Sequence, residues 1–522
     1  MSKTFNLISE AWIPCRTLEG ENVELGIKHT LERSHELQGV DGDTPLVTAS
    51  LYRLLLTVLH RVFGPSDAKV WKRLWGMEKW EHKPLADYFD THKEDFDLFS
   101  HQRPFYQKDD PRVRQKSVVN IVPHYASGNN ATLFDHKTEG DTILLRPGEA
   151  ARFLITAQNF GLAGLSGLSE KFTDSPAARG IVFIIQGRNL FETLCLNMVR
   201  YDPDKGEPII RGNKGLEDKP AWEMGDPYKP KREYPLGYLD YLSWQNRKLT
   251  LVLEGENNDL PVRWIKAAPG LRMARDETLL DPMQHYRRDE KRGLLVLRYQ
   301  ESRALWRDSS ALFSVGYSNP NQERYRAPKS LEWLAQLIDD GILDESKLFQ
   351  ITALGMASNQ AKIDFYRQET VPLPVIYLQN PELVSVLSDA LAKAEEVKSR
   401  LWGSIRKMAE LVLAPESDQD DGRKPDKKDI QNLINHWRAE DSYWEALEIP
   451  FYHLLDELPR DASKGQIEWV DEIRVAVRGA FGRAQTLAGS NTRALKAAIK
   501  ARAQLESGLA KAIPHLKEEA KV

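Results

Sequence analysis

Apolar positions along the chain fall into two textures. From Val47 to Phe63, Leu51, Leu54, Leu55, Val58, Leu59 and Val62 recur at helical spacing. Thr48 or Ser50 can cap that helix, and Gly64-Pro65 ends it. A second helical stretch carries Trp71, Leu74, Trp75 and Trp80. The opening Phe5, Leu7, Ile8, Trp12 and Ile13 read as strand, stopped by Pro14. Short apolar runs bounded by turn formers predict strands at 151–156, 180–187, 249–254 and 293–299. Residues 201–247, crowded with Pro, Gly, Asp and Lys, predict a long irregular excursion, and Pro328 introduces a helix over 329–339.

Near residue 375 the texture changes. Asn380-Pro381 is an N-cap with proline at the first helical position. A stripe then runs through Leu383, Leu387, Leu391, Ala394, Val397, Leu401, Ile405, Met408 and Leu411. The charged stretch from Pro415 to Lys428 predicts an exposed loop. Helical patterns follow at about 429–458, 466–488 and 491–512, the last capped by Ser490 or Asn491. Four such helices pack naturally as an up-down bundle. The fold class expected is therefore α+β: a large mixed N-terminal domain with long irregular loops over 1–375, then a C-terminal four-helix bundle over 376–522.

Composition narrows the function classes. The chain has 522 residues, room for two or three domains at roughly 150 residues each. Lys and Arg number 72 against 76 Asp and Glu, so any nucleic-acid contact must come from a local patch. Two cysteines, Cys15 and Cys195, exclude a disulfide framework and a Cys-built zinc site, and suit a reducing cytosol. The longest apolar runs fall far short of a membrane helix, and MSKTFNLISEAW lacks the build of a signal peptide. The expected location is cytoplasmic, with no membrane partner.

Catalytic motifs are missing. The dipeptide Gly-Lys does not occur, so there is no phosphate loop; G-x-G-x-x-G, G-x-S-x-G and H-E-x-x-H are absent too. Twelve histidines are scattered, and Asp135-His136 is the best acid–histidine pair. No cofactor, metal site or catalytic residue is expected, which favours a binding protein.

Four features carry chemistry. Tyr125 to Phe134 is a small-residue loop with two adjacent amides, Asn129 and Asn130, after the basic lead-in Arg112, Arg114 and Lys116. Asn159 to Gly167 places Gly161, Gly164 and Gly167 at steps of three, followed by Lys171 and Arg179; bare glycines let a backbone approach a ligand closely. Gly355 to Ile363 offers Asn359 and Gln360 for base edges and Lys362 for a phosphate, at what reads as a hairpin tip. Residues 262–307 hold eleven Lys and Arg against six Asp and Glu. Among them are Arg272, Arg275, Arg287, Arg288, Lys291 and Arg292, with Trp264, Tyr286, Tyr299 and Trp306 interleaved. That mix suits phosphate contacts and base stacking. Each feature alone also fits a surface turn, a hairpin tip or a salt-bridged face.

In this order the elements resemble the CasA (Cse1) family, the large subunit of the type I-E CRISPR complex Cascade. The resemblance includes the opening Phe5-Asn-Leu-Ile-Ser-Glu-Ala-Trp-Ile-Pro14 and Gly187-Arg-Asn-Leu-Phe-Glu-Thr-Leu194, and it spans essentially the whole chain. It implies a subunit that reads a short flanking motif, the PAM, from the minor groove of double-stranded target DNA while guide RNA reads the sequence. Asn129 and Asn130 match the loop amide, Gly161, Gly164 and Gly167 the glycine loop, and Gln360, beside Asn359, a strand-separating wedge. Arg272 in Pro-Gly-Leu-Arg matches the basic finger, an arginine where a lysine is familiar. Lys171, Arg287, Arg288, Lys291, Arg292 and Lys362 would meet the DNA backbone. The implied partners are the guide RNA complex, its backbone, small and guide 5′-end-binding subunits, and a recruited helicase–nuclease. The bundle, with 22 basic and 22 acidic residues over 390–522, is the expected docking domain.

Two other classes stay open on the residues alone. One is a metal-dependent nuclease using Asp135, His136 and Asp174. The other is a scaffold whose loops touch nothing.

Overall fold

The computed structural model describes residues 4–123, 143–209, 216–255, 260–274, 279–315, 324–359, 362–414 and 425–513. The chain forms two compact units. The first holds residues up to Arg303 together with Val315–Gln379; the second holds Ala304–Ser314 together with the chain from Asn380 onward.

The first unit is built around the helix Pro45–Phe63. Its cap is Thr44, whose side chain accepts from Val47 N, with Pro45 at the first position, so the helix starts earlier than Thr48. Gly64 ends it. Among the described residues it alone is long and apolar enough to cross a membrane, yet its side chains are buried almost all round, the signature of a core helix. Arg53 within it donates to Asn159 Oδ1 at 2.7 Å and to Asp281 Oδ2 at 2.8 Å, tying distant segments to the core.

Among the described residues the strands form four three-stranded sheets. Their strands are β1 (Ile13–Thr17), β2 (Asn22–Leu25), β3 (Leu37–Val40), β4 (Lys116–Ser117), β5 (Ile181–Gln186) and β6 (Arg247–Leu253). The rest are β7 (Val262–Pro269), β8 (Tyr286–Asp289), β9 (Gly293–Val296), β10 (Tyr325–Arg326), β11 (Leu348–Asn359) and β12 (Lys362–Pro374). The strand orders are β2-β1-β3, β4-β7-β6, β10-β8-β9 and β12-β11-β5.

Two expectations change here. Residues 7–11 form turns and bends, not strand, and β1 begins at Ile13 and runs through Pro14 instead of stopping there; Trp12 is buried, with Nε1 donating to Leu7 O at 2.8 Å. The apolar run at 151–156 is not a strand but the middle of a helix, Pro147–Phe160. Pro147 at its first turn and Glu149, whose carboxylate accepts from Arg146 N at 2.8 Å, set that start. Burial on nearly all sides removed the alternation that would have marked a helix or a half-exposed strand.

The second unit is helical. Asn380 caps the helix Pro381–Leu413 by accepting from Leu383 N at 3.0 Å. Its partners are Lys427–Trp437, Ala439–Glu457, Ala462–Ala488 and Thr492–Ala512. Trp469 Nε1 and Tyr443 OH donate to Ala390 O and Ala394 O, each at 2.9 Å, binding two of them to the long helix. The pattern at 429–458 is thus two helices rather than one, broken at Arg438, which adopts left-handed φ of 47°. No glycine or proline marks that break. Residues Ala304–Ser314 complete this unit: Trp306 lies against Phe451 with ring centroids 4.8 Å apart, and Arg307 covers the Trp444 ring at 3.7 Å. Arg307 also pairs with Glu395 at 2.6 Å.

Candidate nucleic-acid interface

The glycine loop begins where the helix Pro147–Phe160 ends, at Gly161. What shapes it is Arg247, the first residue of β6, turned inward and 7% exposed. Its guanidinium donates to Leu162 O at 2.8 Å, to Thr173 O at 3.4 Å and to Ser175 Oγ at 2.5 Å, and lies over the Phe172 ring. Burial lowers its pKa to about 10. The two ends of the loop are thereby gathered on one buried cation.

The three glycines serve three different ends. A β-carbon at Gly161 would fall 2.2 Å from Arg247 Cζ, so the residue is kept bare by the interior. Gly164 exchanges two backbone hydrogen bonds with Phe172, at 3.3 and 3.0 Å, closing the neck of the loop. Gly167 sits at the tip with φ of +83° and open space around its β-carbon position. Gly167 is open for close approach to a ligand. Leu165, 83% exposed, and Lys171, also exposed, flank it.

Asn246 links this loop to the segment bearing Arg272. Its Nδ2 donates to Thr173 Oγ1 at 2.9 Å and to Leu271 O at 3.2 Å, while its Oδ1 accepts from Ser175 Oγ at 3.1 Å. Arg272, next in the chain, is exposed.

A second link reaches the β11–β12 hairpin. Strand β5 pairs β11 only as far as Gly355, so the two strands run on as a ribbon to the pair Asn359↔Lys362. Arg179 grips Asp174 with Nε and Nη2, at 2.9 and 3.0 Å, and donates from Nη1 to Ser358 Oγ at 2.8 Å. Asp174 Oδ1 also accepts from Ala163 N at 2.7 Å. Glycine loop, Arg272 segment and hairpin end therefore form one hydrogen-bonded cluster. Lys362 is exposed at that end.

Arg298 joins the cluster from the segment that follows β9 (Gly293–Val296). Leu297 O accepts from Ile181 N at 3.2 Å, which sets Arg298 beside Arg179. Its pKa is lowered, first by partial burial of the guanidinium and then by repulsion from Arg179.

The stretch 262–307 is not a single basic-aromatic patch. Tyr286, Tyr299 and Trp306 are buried, so they cannot stack on bases, and Trp306 belongs to the helical unit. Tyr299 OH instead donates to Ala353 O at 2.9 Å. Lys291 and Arg292 occupy the turn between β8 and β9, six residues of nearly extended chain from Arg298, or roughly 20 Å. Arg292 pairs with Asp289 at 3.2 Å; Arg287 is exposed and Arg288 half-buried.

Asn129, Asn130, Asp135, His136 and Gln360 lie outside the described residues, and Gln360 and Ala361 are the two residues joining β11 to β12. Asp174 spends its carboxylate on Arg179 and Ala163, not on a cluster of ligands. Among the described residues no three His, Cys, Asp or Glu side chains gather to hold a metal. Sequence reading missed Asn246, Arg247, Ser358 and Arg298. The run Trp244-Gln-Asn-Arg-Lys248, polar at the mouth of a strand, was the one local sign of the hub.

Comparison with known proteins agrees along the chain's length. A protein from Thermus thermophilus described as CRISPR-associated protein CasA/Cse1 is 34% identical over 504 residues, 94% of this chain and 95% of that protein. The crystal structure of Thermus thermophilus CasA superposes with a TM-score of 0.80 at 30% identity, covering 97% of this chain and 99% of that one. The fold also matches a chain of a structure described as a CRISPR RNA-guided surveillance complex, with a TM-score of 0.74 at 20% identity over 96% of this chain and 99% of that one. The family model for CRISPR-associated protein Cse1 matches residues 6–483, and the chain belongs to that family.

Proposed function

We propose that this protein is the large, non-catalytic subunit of a type I-E CRISPR surveillance complex in the cytoplasm. It reads the PAM of double-stranded DNA through the minor groove, starts strand separation so that guide RNA can pair, and helps recruit a helicase–nuclease. The observation that carries the reading is the cluster just described. An open, left-handed glycine at a loop tip, an exposed arginine and a protruding two-stranded ribbon are fastened together by Asn246, Arg247 and Arg179. A minor groove offers few distinguishing groups, so a bare backbone and one cation suit it better than a recognition helix. Opening the first base step costs a few kcal/mol, which a ribbon tip entering the duplex would offset. The family and the likeness to a surveillance-complex chain support guide RNA and the backbone, small and guide 5′-end-binding subunits as partners.

The test uses the complex purified with its guide. Strand opening is followed on PAM-bearing duplexes that are fully paired or pre-melted beside the PAM. Gln360→Ala should slow opening of the paired target and leave the pre-melted one nearly unchanged. Equal defects on both would make Gln360 a general contact, and capture that ignores the PAM would overturn the reading. Cleavage of duplex DNA by the protein alone with divalent metal would favour a nuclease instead.

A further inference from the structure

From the path Ala163–Asp174–Arg179–Ser358 we infer that Arg179 is a positioning residue, which sets the aim of the β11–β12 ribbon according to the state of the glycine loop. The inference rests on the functional reading above and goes one step further, to how capture and opening are joined.

The geometry is specific to arginine. Its planar fork presents one edge to both oxygens of Asp174 and a third donor to Ser358, whereas an ammonium cannot hold two partners in fixed directions. Asp174 is in turn fixed by Ala163 N, the residue before Gly164 at the neck of the loop. At the far end Ser358 stands where the ladder slips. Ala357 pairs Phe365 but Ser358 pairs Ile363, so Asp364 is an extra residue on β12. A bulge of this kind bends a ribbon and weakens its own hold on direction. Support from β5 has already ended at Gly355. The outer end of the ribbon, up to Asn359, therefore takes its aim from the side, through Arg179 at Ser358, two positions before Gln360 in the sequence. Arg179 and Asp174 are 24% and 19% exposed, close enough to the surface for a bound groove to move them. A groove pressing on the loop shifts Ala163 and Asp174, and the shift reaches the ribbon as a change in its angle.

The guide-loaded complex is assembled with Arg179→Gln, Ser358→Ala or Ser358→Thr. PAM-dependent capture and opening of paired and pre-melted targets are then measured. Ser358→Ala leaves the Asp174 pair intact, so loop folding is not at issue. Loss of one charge-assisted hydrogen bond should slow opening of the paired target about tenfold. Capture and opening of the pre-melted target should hold, and Ser358→Thr, which keeps the hydroxyl, should restore the rate. If the unaltered complex opens paired targets in a PAM-dependent way and Ser358→Ala does so at the same rate, the inference falls and the functional reading stands. Equal slowing on paired and pre-melted targets also overturns it. If the unaltered complex ignores the PAM, the functional reading falls and takes the inference with it.

Discussion

The guanidinium of Arg247 fills the space that a side chain at Gly161 would need, with Cζ 2.2 Å and Nη1 2.4 Å from the β-carbon position. Ala157 O closes the same space from another side at 2.6 Å. A methyl group added there must displace a buried hub that holds both ends of the loop. Gly161→Ala should lower stability by about 1–3 kcal/mol, the usual range for overpacking. Gly167→Ala meets nothing and bears only the left-handed backbone cost, roughly 1–2 kcal/mol. Denaturant unfolding of both variants, and of Gly161→Ala combined with Arg247→Ala, checks the origin of the loss. In the Arg247→Ala background the Gly161 penalty should shrink; an undiminished penalty would point to Ala157 alone.

His60 gives the first unit an acid limit. The ring is buried on the core helix, with Nδ1 2.8 Å from Leu56 O and Nε2 3.3 Å from Val199 O. Burial lowers its pKa to about 4, while in the unfolded chain it titrates near 6.5. Between those values the unfolded state binds the extra proton, so stability rises with pH across the window. The contribution is complete above about pH 6.5 and is lost as pH falls towards 4, by up to about 3 kcal/mol. Urea unfolding across this range should show a shallower acid slope for His60→Gln than for the unaltered protein. An identical slope would place the acid sensitivity elsewhere.

Basic residues in two places should behave differently on DNA. Neutralising Arg287, Arg288, Lys291 and Arg292 should weaken binding to all duplexes alike and reduce the salt slope by up to about 0.9 for each lost phosphate contact. Arg292, paired with Asp289, should contribute less than the exposed Arg287. Arg272→Gln and Arg298→Gln lie at the loop–ribbon cluster and should reduce the preference for PAM-bearing duplexes. Titrations at several salt concentrations, with and without the PAM, separate the two groups. A slope that does not change would return the β8–β9 turn to an ordinary solvated surface.

The helical unit should respond to a residue far outside its main sequence span. Arg307 lies over Trp444 and pairs with Glu395, which is 35% exposed. Arg307→Ala should therefore destabilise that unit by about 2 kcal/mol, less than for a fully buried pair because solvent screens the carboxylate. A chain ending after Gln379 should bind hydrophobic dye more strongly than the full chain, because Trp306 loses Trp444 and Phe451. Dye binding at the full-chain level would show that Trp306 finds other cover.

Where a boundary is set by local chemistry, the sequence was readable. Pro328 and Asn380-Pro381 mark the starts at Lys329 and Pro381 as expected. Helix Pro147–Phe160 was misread because a fully buried apolar run carries no period, and Arg438 breaks a helix with no residue type to announce it. The candidate interface was legible only in part. Glycines and surface cations show as composition, but Ser175–Arg247, Arg179–Ser358 and Thr173–Asn246 join residues more than seventy positions apart. Such pairs leave no mark on either neighbourhood alone. The buried Tyr286, Tyr299 and Trp306 show the converse: aromatic residues among cations in sequence need not share a surface.

Because Ala304–Ser314 belongs with the helices, the chain passes between its two units three times, where a simple C-terminal appendage would need one link. During synthesis Trp306 and Arg307 emerge well before Trp444 and Phe451, so the helical unit cannot be completed until late in translation, after the first unit has most of its residues. The same arrangement limits modular exchange. A C-terminal half taken from a relative brings new walls but not the plug that fills them, and a working graft must carry both pieces of the chain.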